Sequence, residues 1–228
     1  VSNRMHDVLL KTNFYNQIQS FYGDLGVFGT AVIFVEEDLN GKVVTFKALP
    51  VGTYYLGTSD SNVINKYYRE FALTVAQIVE KFGFDKDTGK IDWTNISDNV
   101  KSLFENKRFE QTIMLGHLVQ PNYKDYIPNS PINKHKRFMS AYFEIGGTSS
   151  TTGSFDTQVT SYDGKILRES GYDYFPVLGA RWEVKGEDTY DTSCPGLIAL
   201  GDVMQLQQGE KKSLKAIDKM IDPPMVGP

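Results

Sequence analysis

From Gly196 to Ile221 the chain carries one long helical repeat, and this repeat constrains the whole molecule. Leu197, Leu200, Val203, Met204, Leu206, Leu214, Ile217 and Ile221 return mostly at helical intervals. Gln205, Gln207, Gln208, Lys211, Lys212 and Lys215 fill positions between them. Pro195 stands at the start, where a missing N–H costs nothing, and Pro223-Pro224 ends the pattern. A helix of about 26 residues is roughly 39 Å long. That is long for a domain of this size, and its polar stretch needs a partner or solvent on several sides. The tail Asp222 to Pro228 holds nothing that returns to pack on the helix, and Val1 is not an initiator methionine. The expectation is a fragment of a larger protein, set against the plainer alternative of a processed chain with a flexible tail.

A second feature lies near the start. Gly23, Gly26 and Gly29 stand three residues apart, between an aromatic helical segment and an apolar strand. The spacing places small residues on one helical face, where another backbone can come close. A dinucleotide or P-loop glycine motif follows a strand and opens a helix. Here the order is reversed: the glycines close a helix and precede a strand, so they read as packing glycines. Substituting Gly26 or Gly29 by valine is expected to hurt folding or assembly and no catalytic step.

The elements between these features define an α+β fold with mixed helices and mainly antiparallel sheet. Leu9, Leu10, Phe14, Ile18, Phe21, Tyr22 and Leu25 predict one or two helices between Asp7 and Leu25, ending near Gly26. Thr30 to Glu37 and Lys42 to Leu49 flank Asn40-Gly41, a hairpin signal. Strands are predicted at Thr53 to Leu56 and Val63 to Leu73, where Tyr67, Arg69, Phe71 and Leu73 mark one buried face. Thr74 caps a helix through Phe82 that Gly83 stops, and Ser97 or Asp98 caps another reaching about Asn106. Thr112 to Val119 and Met139 to Ile145 are strands around a Pro- and Asn-rich loop, Gln120 to Arg137. Gly146 to Gly153 reads as a wide turn. Strands resume at Phe155 to Thr160, Lys165 to Glu169 and Val177 to Lys185.

The chain of 228 residues has a formal net charge of −4 with both signs mixed along it, which argues against a protein that grips nucleic acid by its phosphates. A conduit for sliding DNA is compatible with that balance. Cys194 is the single cysteine, so no intrachain disulfide forms. No apolar run reaches the ~18 residues that span a bilayer, and there is no signal-peptide pattern. His6, His117 and His135 lack metal-ligand spacing, and a structural or surface role outweighs ligation for each. His117 is expected to be half-buried, and Lys134-His135-Lys136-Arg137 is a short basic patch better read as a solvated loop than as a phosphate site. Cys194 precedes a helix start, yet a small packing residue is the stronger reading. Gly209 to Ser213 lacks the first glycine of a Walker loop. Asp85 to Asp92 resembles a calcium loop, but Ile96 stands where the bidentate carboxylate belongs. No catalytic, cofactor or metal set emerges.

Several segments, taken in order, resemble portal proteins of short-tailed phages, also called head-to-tail connector proteins. Phe14-Tyr15 with Phe21-Tyr22-Gly23-Asp24-Leu25-Gly26-Val27-Phe28-Gly29-Thr30-Ala31 is similar to the early wing segment of that family. Phe46 to Tyr55 and Tyr68 to Val79 resemble the strand, turn and helix that follow. Glu169 to Val177 with Trp182 resembles the late wing strand, and Gly186 to Tyr190 leads into Cys194-Pro195-Gly196 and the long helix. The resemblance covers about residues 7–228 and is weakest over 85–160. Where these portals usually carry glycine after the tyrosine, this chain has Asp191, which tolerates left-handed backbone better than most residues.

The resemblance implies a wing-like domain over residues 1–195, a stem-like helix over 196–222, and the start of a truncated clip at 223–228. It implies a ring of identical subunits, commonly a dodecamer, at one capsid vertex, through which double-stranded DNA is packaged and ejected. Its implied partners are capsid and scaffolding proteins, the terminase packaging motor and tail adaptor proteins, with no membrane, no cofactor and no catalysis. Its place would be the virion, and the host cytoplasm during assembly. Lys211, Lys212, Lys215 and Lys219 would face the channel or neighbouring subunits. The alternative reading is a β-rich ligand- or carbohydrate-binding module, suggested by the tyrosines and the Gly/Ser/Thr loop.

Overall fold

The computed structural model describes residues 2–37, 44–84, 89–145, 165–184, 186–191 and 193–221. The expected Asn40-Gly41 hairpin tip, the 146–153 turn, the 155–160 strand and the 223–228 tail lie outside them. The fold is α+β with two antiparallel sheets and ends in one long helix. It divides into two compact units: residues 1–33, 38–51 and 179–228, and residues 34–37 with 52–178.

The first unit opens with two helices, α1 (Ser2–Lys11) and α2 (Phe14–Phe28). The break between them is local chemistry. The Thr12 hydroxyl donates to the Leu9 carbonyl at 2.8 Å, and Asn13 turns its amide away to β2 (Val44–Leu49). Asn13 Nδ2 donates to the Phe46 carbonyl at 2.7 Å and Oδ1 accepts from the Phe46 N–H at 2.9 Å. One helical turn on, Gln17 Oε1 accepts from the Ala48 N–H at 2.8 Å. Four residues of helix advance about 6 Å and two of strand nearly 7 Å, so the two side chains match alternate strand positions. They satisfy backbone groups that an edge strand would leave open. The Phe14 ring meets the Phe46 ring edge-on, with centroids 5.1 Å apart.

Helix α2 passes through Gly23 and Gly26 and ends at Phe28, beyond the expected stop near Gly26. Gly29, at φ +76°, adopts the left-handed C-cap and returns its N–H to the Leu25 carbonyl at 3.0 Å. Strand β1 (Thr30–Glu37) follows, and its first five residues are all buried. It lies between β2 and β8 (Val177–Arg181). The Val35 N–H bonds the Pro176 carbonyl and the Trp182 N–H bonds the Gly29 carbonyl, so β1 and β8 run antiparallel.

The second unit is a five-stranded meander in the order β3 (Tyr54–Thr58), β4 (Ile64–Thr74), β5 (Thr112–Pro121), β6 (Phe138–Glu144) and β7 (Ile166–Tyr172). Its register aligns Tyr67 with Val119, His117 with Tyr142, and Ser140 with Ser170. At the end of β4 a capping box joins Thr74 and Gln77 and starts α3 (Val75–Ile78). A π-turn, Val79–Gly83, extends it; a Cβ on Gly83 would press on the Ile96 side chain at 2.5 Å. Ser97 caps α4 (Asp98–Glu105), accepting from the Val100 N–H at 3.3 Å. The two helices cover one sheet face through Val75, Ile78, Val79, Val100, Leu115 and Leu167.

Beside that core is a buried aromatic and polar group. His117 is 3% exposed, deeper than the half-burial its sequence position suggests. Its ring stacks on Tyr142 at 3.9 Å and 6°, and Nε2 lies 3.0 Å from the Ser140 hydroxyl. Phe34 and Tyr67 meet the imidazole edge-on. Burial pushes the Tyr67, Tyr142 and Tyr172 phenols above their ordinary value of 10.0, and the nearby Glu36 charge adds to this; Arg69 opposes it at Tyr67. In the unfolded chain a phenol ionises at about pH 10, whereas these stay protonated to higher pH. The folded state therefore binds more protons there. Their contribution to stability is complete below about pH 10 and declines above it by up to ~1.4 kcal/mol per tyrosine per pH unit. Denaturant unfolding measured against pH is expected to show this alkaline decline, and Tyr142→Phe is expected to make it shallower.

Candidate assembly interface

Helix α5 (Pro195–Ile221) is little covered by the described residues. It has 27 residues, none of them buried, and every residue from Leu197 onward is exposed. Ile198, Leu206, Met220 and Ile221 are 74, 68, 82 and 77% exposed, more apolar surface than one element leaves in water without a partner. At about 100° per residue its side chains sort into faces. Val203, Leu206, Leu214, Ile217 and Ile221 share one arc of about 80°. Lys211, Lys212, Lys215 and Lys219 share an arc of about 100° on the far side. Leu197, Leu200 and Met204 begin the column that the lysines continue. The apolar face therefore changes direction along the helix, as suits an element with different surroundings at its two ends.

The root of α5 is fastened to the end of α2. The Cys194 thiol donates to the Val27 carbonyl at 3.2 Å and is fully buried, in accord with a packing role. A Cβ on Gly196 would lie 2.5 Å from the Val27 oxygen, so only glycine lets the two backbones approach this closely. Gly29 is enclosed less tightly: a Cβ there would meet the Asp191 carbonyl oxygen at 3.1 Å and the Asp191 and Cys194 Cβ atoms at 3.2 Å. Asp191 is buried, and its φ is not positive, so tolerance of left-handed backbone is not why an aspartate serves here. Gly23 and Gly26 differ from Gly29. A Cβ on either meets nothing within 4 Å, and they lie beside Tyr22, which is 63% exposed.

The remaining candidates carry no visible chemistry. His6 is exposed and His135 sits in a short 3-10 turn, Asn133–His135. The basic patch around it is partly neutralised: Lys134 pairs with Glu169 at 2.9 Å and Lys136 with Asp173 at 2.6 Å. The bond and charge of Glu169 raise the Lys134 pKa. In the calcium-like turn, Asp92 accepts from the Thr94 hydroxyl and N–H, which lowers its carboxyl pKa; Asp85 to Thr88 lie outside the described residues. Among the described residues no group of three or more His, Cys, Asp or Glu could hold a metal ion. No described helix is long and apolar enough to cross a membrane. An open groove of about 370 Å³ runs along α2 and the end of β2, lined by Gln17, Ser20, Asp24, Phe28, Pro50 and Val51.

Among the described residues, then, the α+β core carries a long helix with no buried position. The chain belongs to the bacteriophage head-to-tail connecting protein family, whose family model matches residues 1–228. It is 39% identical over its whole length to the portal protein of Salmonella phage epsilon15, and 35% identical over 225 residues, 99% of its length, to a probable portal protein of Bordetella phage BPP-1. It spans about a third of each relative, 36% in both cases. The sequence reading missed the side-chain pairing of Asn13 and Gln17 with β2 and the burial of Asp191. Both depend on residues distant in the chain.

Two classes of glycine are expected to respond oppositely to alanine. Gly29→Ala should destabilise the chain by about 1–2 kcal/mol, because a left-handed Cβ is disfavoured even before crowding is counted. Gly23→Ala or Gly26→Ala should stabilise it by about 0.5–1 kcal/mol, since a Cβ at either meets nothing within 4 Å among the described residues. Thermal unfolding of the three variants checks both signs.

Proposed function

We propose that this chain is the wing-like part and first stem helix of a portal protein, a ring at one capsid vertex through which double-stranded DNA is packaged and later ejected, and which joins head to tail. The observation that carries this reading is α5, a 27-residue helix with no buried residue, in a chain matched over its full length by the connector family. The proposed division is residues 1–195, the helix at 196–222, and a clip beginning at 223–228. The ring is proposed to be a dodecamer, with capsid and scaffolding proteins, the terminase motor and tail adaptors as partners. Its place is the virion vertex, reached from the host cytoplasm during assembly. We assign the chain no catalytic step, and the relatives lend no support to a carbohydrate-binding module.

Within that ring the apolar arc of α5, from Val203 to Ile221, packs against other protein, and Lys211, Lys212, Lys215 and Lys219 face the channel. Ammonium groups are compact and strongly hydrated, which suits a wet lumen better than a packed contact. Gly23 and Gly26, open within this chain and beside exposed Tyr22, receive a neighbouring backbone.

Native mass spectrometry and negative-stain imaging of the full-length protein are expected to show large rings. A monomer that persists across salt and protein concentrations would overturn the proposal. Exchanging all four lysines for glutamate is expected to preserve the ring while shortening the packaged DNA or slowing its entry. Loss of the ring in that variant would place the lysines between subunits instead. Gly26→Val in the full-length protein should impair ring formation, and normal rings would remove Gly26 from the interface.

A further inference from the structure

We propose that Asp191 is the positioning residue that fixes the direction in which α5 leaves the first unit. Its buried carboxylate ties together segments that meet at the root of the helix. Oδ2 accepts from the Glu183 N–H at 2.8 Å, just past the end of β8. Oδ1 accepts from the Ser193 N–H at 2.8 Å, immediately before α5. The Asp191 N–H in turn donates to the Thr30 hydroxyl at 3.0 Å, at the start of β1. The carboxylate thus does for two backbone donors what a sheet partner would otherwise do. Strand β8 ends at Arg181, short of the expected Lys185, and two residues on the Glu183 N–H is turned to the Asp191 side chain. Arg181 closes the same loop by donating from Nη1 to the Asp188 carbonyl at 3.0 Å.

The leverage of this knot comes from length. Helix α5 is about 40 Å long, so a tilt of about 10° at its root moves its tip by about 7 Å. No residue of α5 is buried, and its close contacts in this chain, Cys194 and Gly196 on Val27, lie at the root. Hydrogen bonds to a carboxylate are among the stronger and more directional available, and both Asp191 oxygens are engaged here. A neutral amide at this position would keep one acceptor and turn an NH₂ group toward the second N–H donor. An alanine would remove both acceptors. The inference depends only on the geometry of this chain and stands apart from whether the chain assembles into a ring.

The test is a distance between the unit and the helix. In the intact chain, nitroxides on Ser20→Cys and Gln208→Cys are expected to give one narrow distance distribution. Asp191→Ala should broaden it about twofold or more and speed amide exchange at Glu183, Ser193 and Ile198 by about tenfold or more, while Leu115 and Val119 in β5 keep their protection. Asp191→Asn should fall between the two, and it carries the test alone if the alanine variant does not fold. Asp202→Asn, on the exposed surface of α5, should change neither readout. An unchanged distance distribution in Asp191→Ala and Asp191→Asn would overturn the proposal, as would an equal rise in exchange at β5, which would mark a general loss of stability.

Discussion

The close approach of backbones around Gly29 is the constraint on which the first unit depends. Here α2 must stop, β1 must start, and the chain returning from β8 must pass into α5. A left-handed residue ends the helix without a wasted turn. The same position lacks a Cβ, so Asp191 and Cys194 can lie against it. Gly196 repeats the device on the other side of the joint, against Val27. Once these backbones are in contact, the buried polar groups between them need partners, because an unpaired one costs about as much as a lost hydrogen bond. The Asp191 carboxylate and the Thr30 hydroxyl meet that need.

The second unit follows a different logic. Its strands connect in sequence order, so each pairing closes with the neighbour just before it, and α3 and α4 are supplied within the same stretch. Its interior is not purely apolar. His117, Ser140 and three tyrosines are inserted among Phe34 and the core side chains, with the hydroxyls kept protonated by burial. Such a group tolerates little rearrangement, since the His117 ring is held both by stacking on Tyr142 and by its contact with the Ser140 hydroxyl. This part of the unit is therefore held in a fixed arrangement.

What could be read from the sequence is what local chemistry decides. The 3.6-residue repeat and Pro195 located α5 to within a residue. Alternating residues located β4, and the Thr74 and Ser97 caps located α3 and α4. The apolar exposure of α5 was also legible, as a helix too long for one small domain to cover. The errors fall where distant residues decide. Local spacing favours a helix stop near Gly26, but the chain ends α2 where Asp191 and Cys194 leave room for a left-handed residue, at Gly29. Strand β8 was read too long, because the spacing of Val177 to Lys185 cannot reveal that Asp191 captures the Glu183 N–H. The family resemblance, carried by ordered segments from Phe14 to Gly196, agrees with the family match over residues 1–228.

The pairing of α2 with β2 has a consequence for how copies of such a chain can meet. Asn13 and Gln17 already occupy both backbone groups of Phe46 and the N–H of Ala48. A strand offered by another molecule finds no open ladder at these positions. A second copy of the chain is thus denied a template for endless sheet growth along this margin. Any contact that forms along this margin has to be made through side chains.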